Sequence, residues 1–136
     1  MDDHTCRIAV VDDEPKITKL LKLTLEENFT CVVDVFNDPI IALECFRQVP
    51  FHAISLDHRM PKLTGMDLVK LLRASKGPNQ KTSILLLTGY LDDAECAHLD
   101  LLDQVMFLEK PIDEPRYLRW MKFFIRAVQP SGPAVR

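Results

Sequence analysis

No apolar run in this chain of 136 residues approaches the ~20 residues that a membrane-spanning helix needs. The four cysteines (Cys6, Cys31, Cys45 and Cys96) contain no CxxC pair, which argues against a disulfide framework or a zinc site and makes reduced thiols the default. His4 near Cys6 and Cys96 near His98 lack recognisable zinc spacing. A basic excess is missing as well. The formal net charge is −3, which argues against direct nucleic-acid binding by this domain. The first residues, MDDHTC, are acidic where a secretory signal would be basic. A soluble, cytoplasmic protein with no membrane partner is therefore expected. The composition is 47% hydrophobic and 27% charged, which suits one packed domain without staples.

Five short apolar runs stand out: Ile8–Val11, Cys31–Phe36, Ala53–Leu56, Ser83–Leu87 and Val105–Leu108. They show little strict alternation, as strands buried on both faces do. Helical patterns separate them. Ile17, Leu20, Leu21 and Leu25 recur on one face. Asp38-Pro39 supplies an N-cap and a proline at the first helical position. Thr64 through Asp67 resembles a capping box ahead of Leu68, Leu71 and Leu72. A fourth helix is expected from about Asp92 to Leu102, and a fifth after Pro115, with Tyr117, Met121, Phe124 and Val128 on one face. Gly77-Pro78-Asn79 reads as a surface turn. Strands alternating with helices at these lengths indicate an α/β fold with a parallel sheet wrapped by helices. The expected division is an N-terminal extension over 1–5, one domain over 6–127, and a linker-like or disordered tail over 128–136.

The residues closing the runs carry the chemistry. The first run ends in Asp12-Asp13, the third in Asp57, the fourth in Thr88, and the fifth leads to Lys110. Ligands of an open parallel sheet bind at the carboxyl ends of its strands. Three carboxylates gathered there disfavour one another's ionisation unless a cation joins them. Hard oxygen donors suit Mg2+, with Mn2+ chemically able to substitute. Lys110 would neutralise remaining charge, and Thr88 could donate a hydrogen bond to an oxygen arriving on Asp57. The set fits an aspartate that accepts a phosphoryl group.

Val10-Val11-Asp12-Asp13, Leu56-Asp57-His58-Arg59-Met60-Pro61 with Gly65, Leu87-Thr88-Gly89 and Lys110-Pro111 resemble the motifs of the response-regulator receiver domain of two-component signalling. The resemblance spans roughly residues 6 to 127. It implies a doubly wound, flavodoxin-like five-stranded sheet in order 2-1-3-4-5 with five flanking helices. It implies Asp57 as phosphoacceptor, with Asp13 binding Mg2+ directly, Asp12 mainly through water, and the Arg59 backbone carbonyl as a further ligand. Thr88 and Lys110 would contact the phosphoryl oxygens. Thr88 and Phe107 would act as the switch, and Lys110-Pro111 would be a cis bond. Arg59 and Tyr90, both large, would flank the path of hydrolytic water and prolong the phosphoryl lifetime. The implied partner is a histidine kinase or a histidine phosphotransfer protein. The implied role is a signalling phosphoacceptor, not an enzyme with a separate substrate.

Blander readings remain beside these. Asp12-Asp13 alone would serve as a helix cap, Phe107 as core, and His58 as a solvent-exposed spectator. On the fifth helix, Arg119, Lys122 and Arg126 lie opposite the apolar face with Phe123 among them. Arg119, Phe123 and Arg126 are a candidate interface for a homodimer through the fourth helix, fifth strand and fifth helix, against an ordinary solvated face. A haloacid-dehalogenase-type phosphatase would need a second Asp where Arg59 stands. A flavodoxin-like cofactor binder would meet repulsion from Asp12, Asp13 and Glu14. A receiver-like interaction module that is never phosphorylated stays open.

Overall fold

A computed structural model describes residues 5–89 and 103–128. Its elements run β1 (Cys6–Val11), α1 (Pro15–Asn28), β2 (Cys31–Phe36), α2 (Pro39–Phe46), β3 (Ala53–Asp57), α3 (Gly65–Ala74), β4 (Ser83–Thr88), β5 (Val105–Glu109) and α4 (Glu114–Val128). The helix expected at about Asp92 to Leu102 lies outside the described residues. α4 is the element anticipated as the fifth helix.

The strands form one parallel sheet in the order β2-β1-β3-β4-β5, the flavodoxin-like order. Every residue of β3 and β4 is buried, because helices cover both faces of the sheet centre. The two-residue period of the strands sorts their side chains to opposite sides. Ala9, Val11, Ile54, Leu56, Ile84 and Leu86 meet Ala42 and Phe46 of α2 and Leu68, Val69 and Leu72 of α3. Ile8, Val10, Leu85 and Leu87 meet Leu21 and Leu25 of α1 and Tyr117, Met121 and Phe124 of α4. The edge strands β2 and β5 keep exposed positions, as half-covered strands do.

Local chemistry sets the helix starts. Asp38 caps α2 by accepting the Ile40 N–H at 2.8 Å. Thr64 and Asp67 close a reciprocal capping box on α3, both bonds at 3.1 Å. α1 begins differently. Its N-cap is Glu14, whose side chain makes no capping bond, and Pro15 takes the first turn. Asp12 and Asp13 are therefore not the cap.

The turn Gly77-Pro78-Asn79 is exposed at its first two residues, but Asn79 is 1% exposed. Its Oδ1 accepts the Phe51 N–H and the Thr82 hydroxyl, both at 2.9 Å. Its Nδ2 donates to the Phe46 and Val49 carbonyls, both at 2.7 Å. A side chain that satisfies four groups from two loops belongs inside. No helix among the described residues is long and apolar enough to cross a membrane.

The order in which strands are laid down reverses at β1 and β3: the first connection runs outward to β2, and the chain returns past β1 to β3 and β4. The crevice at their carboxyl ends is where such sheets hold ligands. Asp12 follows β1, and Asp57 is the last residue of β3.

Candidate functional site

The loop after β1 is held from three sides. The Asp12 N–H donates to the Phe36 carbonyl at 3.0 Å. Asn37 Nδ2 donates to the Asp12 carbonyl at 2.8 Å and to Thr18 Oγ1 at 3.0 Å. Asp12 Oδ1 accepts the Glu14 N–H at 2.9 Å, while its buried Oδ2 has no hydrogen-bond partner. Asp13 is half-buried beside it. Asp57 is 3% exposed, and its Oδ1 accepts from Lys110 Nζ at 2.5 Å. Lys110 is brought there by β5, with its N–H on the Thr88 carbonyl at 2.7 Å. The Lys110–Pro111 bond is cis.

Asp12, Asp13 and Asp57 each offer a carboxylate oxygen within 4.8 Å of the others. Burial, helped by the nearby Asp57 charge and opposed by the Glu14 N–H, pushes the Asp12 carboxyl up to about 6. Burial likewise raises Asp57, against the bond and charge of Lys110, which lower it. Three crowded carboxylates, one with an orphaned buried oxygen, form an all-oxygen donor set that suits a divalent hard cation. The chemistry of the donors fits Mg2+.

The raised Asp12 value has a measurable sign. Its folded pKa exceeds the unfolded one, so the folded, metal-free chain binds the extra proton. Stability is then lost as pH rises from about 4 to about 6, by at most about 3 kcal/mol from this group. Asp12→Asn should flatten the decline and raise the melting temperature at pH 7 in a chelator. Parallel melting-temperature curves for the two proteins across that pH window would show that Asp12 carries no such penalty.

Several sequence expectations land differently. His58 is 1% exposed, not a solvent-exposed spectator. Its N–H pairs with the Leu87 carbonyl at 2.9 Å and its carbonyl accepts the Gly65 N–H at 2.7 Å, so the end of β4 and the start of α3 enclose it. Thr88 is buried at the end of β4. Arg59 is exposed in the loop after β3, and Tyr90 lies outside the described residues. Phe107 is half-buried and packs against the cluster under α2 and α3.

The three interface candidates separate. Phe123 is 62% exposed and shares a surface pocket with Arg116, Arg119 and Trp120. Arg126 lines the groove on the other flank of α4, toward α1, which Arg119 also reaches.

A strap across the rim had no signal in the sequence. Lys62 Nζ pairs with Asp38 Oδ2 at 2.6 Å, joining the loop after β3 to the N-cap of α2. Lys62 sits at φ 75°, in the left-handed region that few non-glycine residues adopt. Asp38 was legible only as a cap, and no local pattern marked Lys62. Asn37, which braces the Asp12 loop, was equally silent.

The sequence matches the response regulator receiver domain over residues 8–121. The transcriptional regulatory protein FixJ of Bradyrhizobium diazoefficiens is 30% identical over 125 residues, 92% of this chain. This chain spans 59% of FixJ. The chemotaxis protein CheY4 of Vibrio cholerae superposes with a TM-score of 0.78 at 24% identity, covering 88% of this chain and 98% of that one. The receiver domain of the sensor histidine kinase PA1611 of Pseudomonas aeruginosa superposes at 0.77 and 22% identity, covering 90% and 98%. That structure carries a magnesium ion coordinated in its active site cleft. At such identities the superpositions speak for the fold; the match along the sequence speaks for descent, and by it the chain belongs to the response regulator receiver domain family of two-component signalling.

Proposed function

We propose that Asp57 accepts a phosphoryl group from a phosphohistidine of a histidine kinase or histidine phosphotransfer protein. The observation that carries this reading is the Lys110 ammonium at 2.5 Å from Asp57 Oδ1, beside the cluster of three carboxylates. An Asp57 oxygen attacks phosphorus, the phosphorus–nitrogen bond to the donor histidine breaks, and an aspartyl phosphate remains. Asp12, Asp13, Asp57 and the Arg59 carbonyl would hold Mg2+. Bound there, it would neutralise charge on the phosphoryl oxygens in the transition state. Lys110 moves from the carboxylate to a phosphoryl oxygen, supplying the other half of that neutralisation. The Thr88 hydroxyl donates to a second oxygen. Drawing Thr88 inward frees space for Phe107 to turn further into the cluster it already touches, which biases a two-state equilibrium of the surface around β5 and α4. No separate substrate is consumed, so the chain acts as a signalling phosphoacceptor.

The test is incubation with acetyl phosphate and Mg2+, followed by intact mass spectrometry. The wild type should gain one phosphoryl group, and Asp57→Asn or a chelator should abolish the gain. A wild type that stays unmodified in this assay and with a panel of histidine kinases would leave an interaction module as the better reading.

The exposed Phe123 beside Trp120, at 6.0 Å between ring centroids, favours a homodimer across this face in the phosphorylated state. Met106, 38% exposed on β5, adds apolar area. Phe123→Asp should leave the phosphorylated protein monomeric in sedimentation velocity, where the wild type sediments as a dimer. The same sedimentation for both proteins would remove Phe123 from the interface.

A further inference from the structure

The cleft between α1 and α4 holds two cavities of opposite character. Thr24 Oγ1 and Glu114 Oε2, 3.4 Å apart, link the helices. Both residues line the cavity near the phosphoacceptor, whose charged lining is mixed: Glu14, Glu114 and Lys110. The other cavity, about 560 Å3, has a floor of Phe29, Leu118 and Ile125 and a rim of Arg119, Lys122 and Arg126, with no acid among the described residues that line it. None of these three cations forms an ion pair among the described residues. Three such cations around an apolar floor oppose the sign of a chain whose net charge is −3. Arg126, in the last turn of α4, complements the helix dipole. Arg119 and Lys122 sit mid-helix, where the dipole asks for nothing.

We infer that this groove docks an acidic amphipathic helix of a partner protein, distinct from the phosphodonor. Apolar side chains would fill the floor, and carboxylates along their edges would meet Arg119, Lys122 and Arg126, in the manner of helix-in-groove recognition. Charge complementarity selects this occupant. The chain's own final residues, Gln129 to Arg136, include no acidic side chain and do not match the rim. A nucleic-acid backbone would satisfy the cations but leave the apolar floor of Phe29, Leu118 and Ile125 unfilled.

The probe is a fluorescein-labelled helical peptide with glutamates on one face and leucine and phenylalanine on the other, titrated with the full chain and followed by anisotropy. Saturable binding is expected, weakening as salt rises. The Lys122→Glu/Arg126→Glu double variant should bind at least about tenfold more weakly, with an unchanged melting temperature. Phe123→Asp, on the other flank, should bind as the wild type does. Asp57→Asn should also bind normally, so the outcome is separable from the phosphoacceptor reading. No binding, or equal binding by the double variant, overturns the inference. So does equal binding of a peptide with serine replacing its apolar residues, of a DNA duplex, or of phosphatidylglycerol vesicles, since each would show a general anion surface.

Discussion

Lys110→Met should slow phosphorylation of Asp57 by acetyl phosphate about a hundredfold or more, the usual scale for removing one preorganised donor from developing charge. The methionine has a similar reach but no charge. Lys110 is the Asp57 side chain's ion-pair partner at 2.5 Å, and it lowers a carboxyl that burial raises. Without it, Asp57 would hold its proton to higher pH. The variant's rate should therefore climb across a pH range where the wild type is already level. Lys110→Arg retains the charge but carries it on a planar fork, and should recover part of the rate. Mass spectrometry over time at several pH values reads both effects. A Lys110→Met protein that phosphorylates at the wild-type rate would show that the ion pair is structural and that the transition state does not use it.

The strand ends were legible because apolar runs stop where the sheet stops. Asp12, Asp57, Thr88 and Lys110 could be assigned to one edge before any coordinates, since a parallel sheet aligns all its carboxyl ends. Caps were legible for a similar reason: Asp38-Pro39 and Thr64 to Asp67 are short-range patterns, and both form. What failed to show depends on partners distant in the chain. His58 looks like a polar loop residue, yet the pairing of Leu87 and Gly65 with its backbone carries it inside. Asn79 sits in a turn signature, but the four groups it satisfies come from residues 46 to 51 and from Thr82. The Asp38–Lys62 strap spans 24 residues and depends on a left-handed backbone at Lys62. Sequence periodicity describes faces of single elements, so it finds a buried face and misses a polar side chain buried by a neighbouring loop.

Gly65→Ala should damage both stability and phosphoryl transfer, the second beyond what the first explains. Propensity alone gives the opposite sign, because alanine is the better helix former by about 0.5–1 kcal/mol. Space decides the case. A Cβ at Gly65 would lie 2.6 Å from the Asp57 carbonyl oxygen, 2.6 Å from Leu86 Cδ1 and 2.9 Å from His58 Cα. Leu86 can turn its end away, but the other two atoms are backbone at the end of β3. Accommodating the methyl pushes α3 away from that backbone, at a cost on the order of 1–3 kcal/mol. The bond from the Gly65 N–H to the His58 carbonyl, 2.7 Å, is strained by the same movement. Asp57 shifts with its carbonyl, and displacing a reacting group by about 1 Å can cost about a hundredfold in rate. Gly77→Ala is the matched control: that glycine is exposed, and the nearest neighbour its added methyl would meet is the Arg47 carbonyl at 4.0 Å. It should melt within a degree or so of the wild type and phosphorylate normally. Calorimetry and phosphorylation rates at a temperature where all three proteins are folded separate the two effects. If Gly65→Ala behaves as Gly77→Ala does, the start of α3 does not hold the acceptor in place, and the position of Asp57 is fixed by the sheet and Lys110 alone.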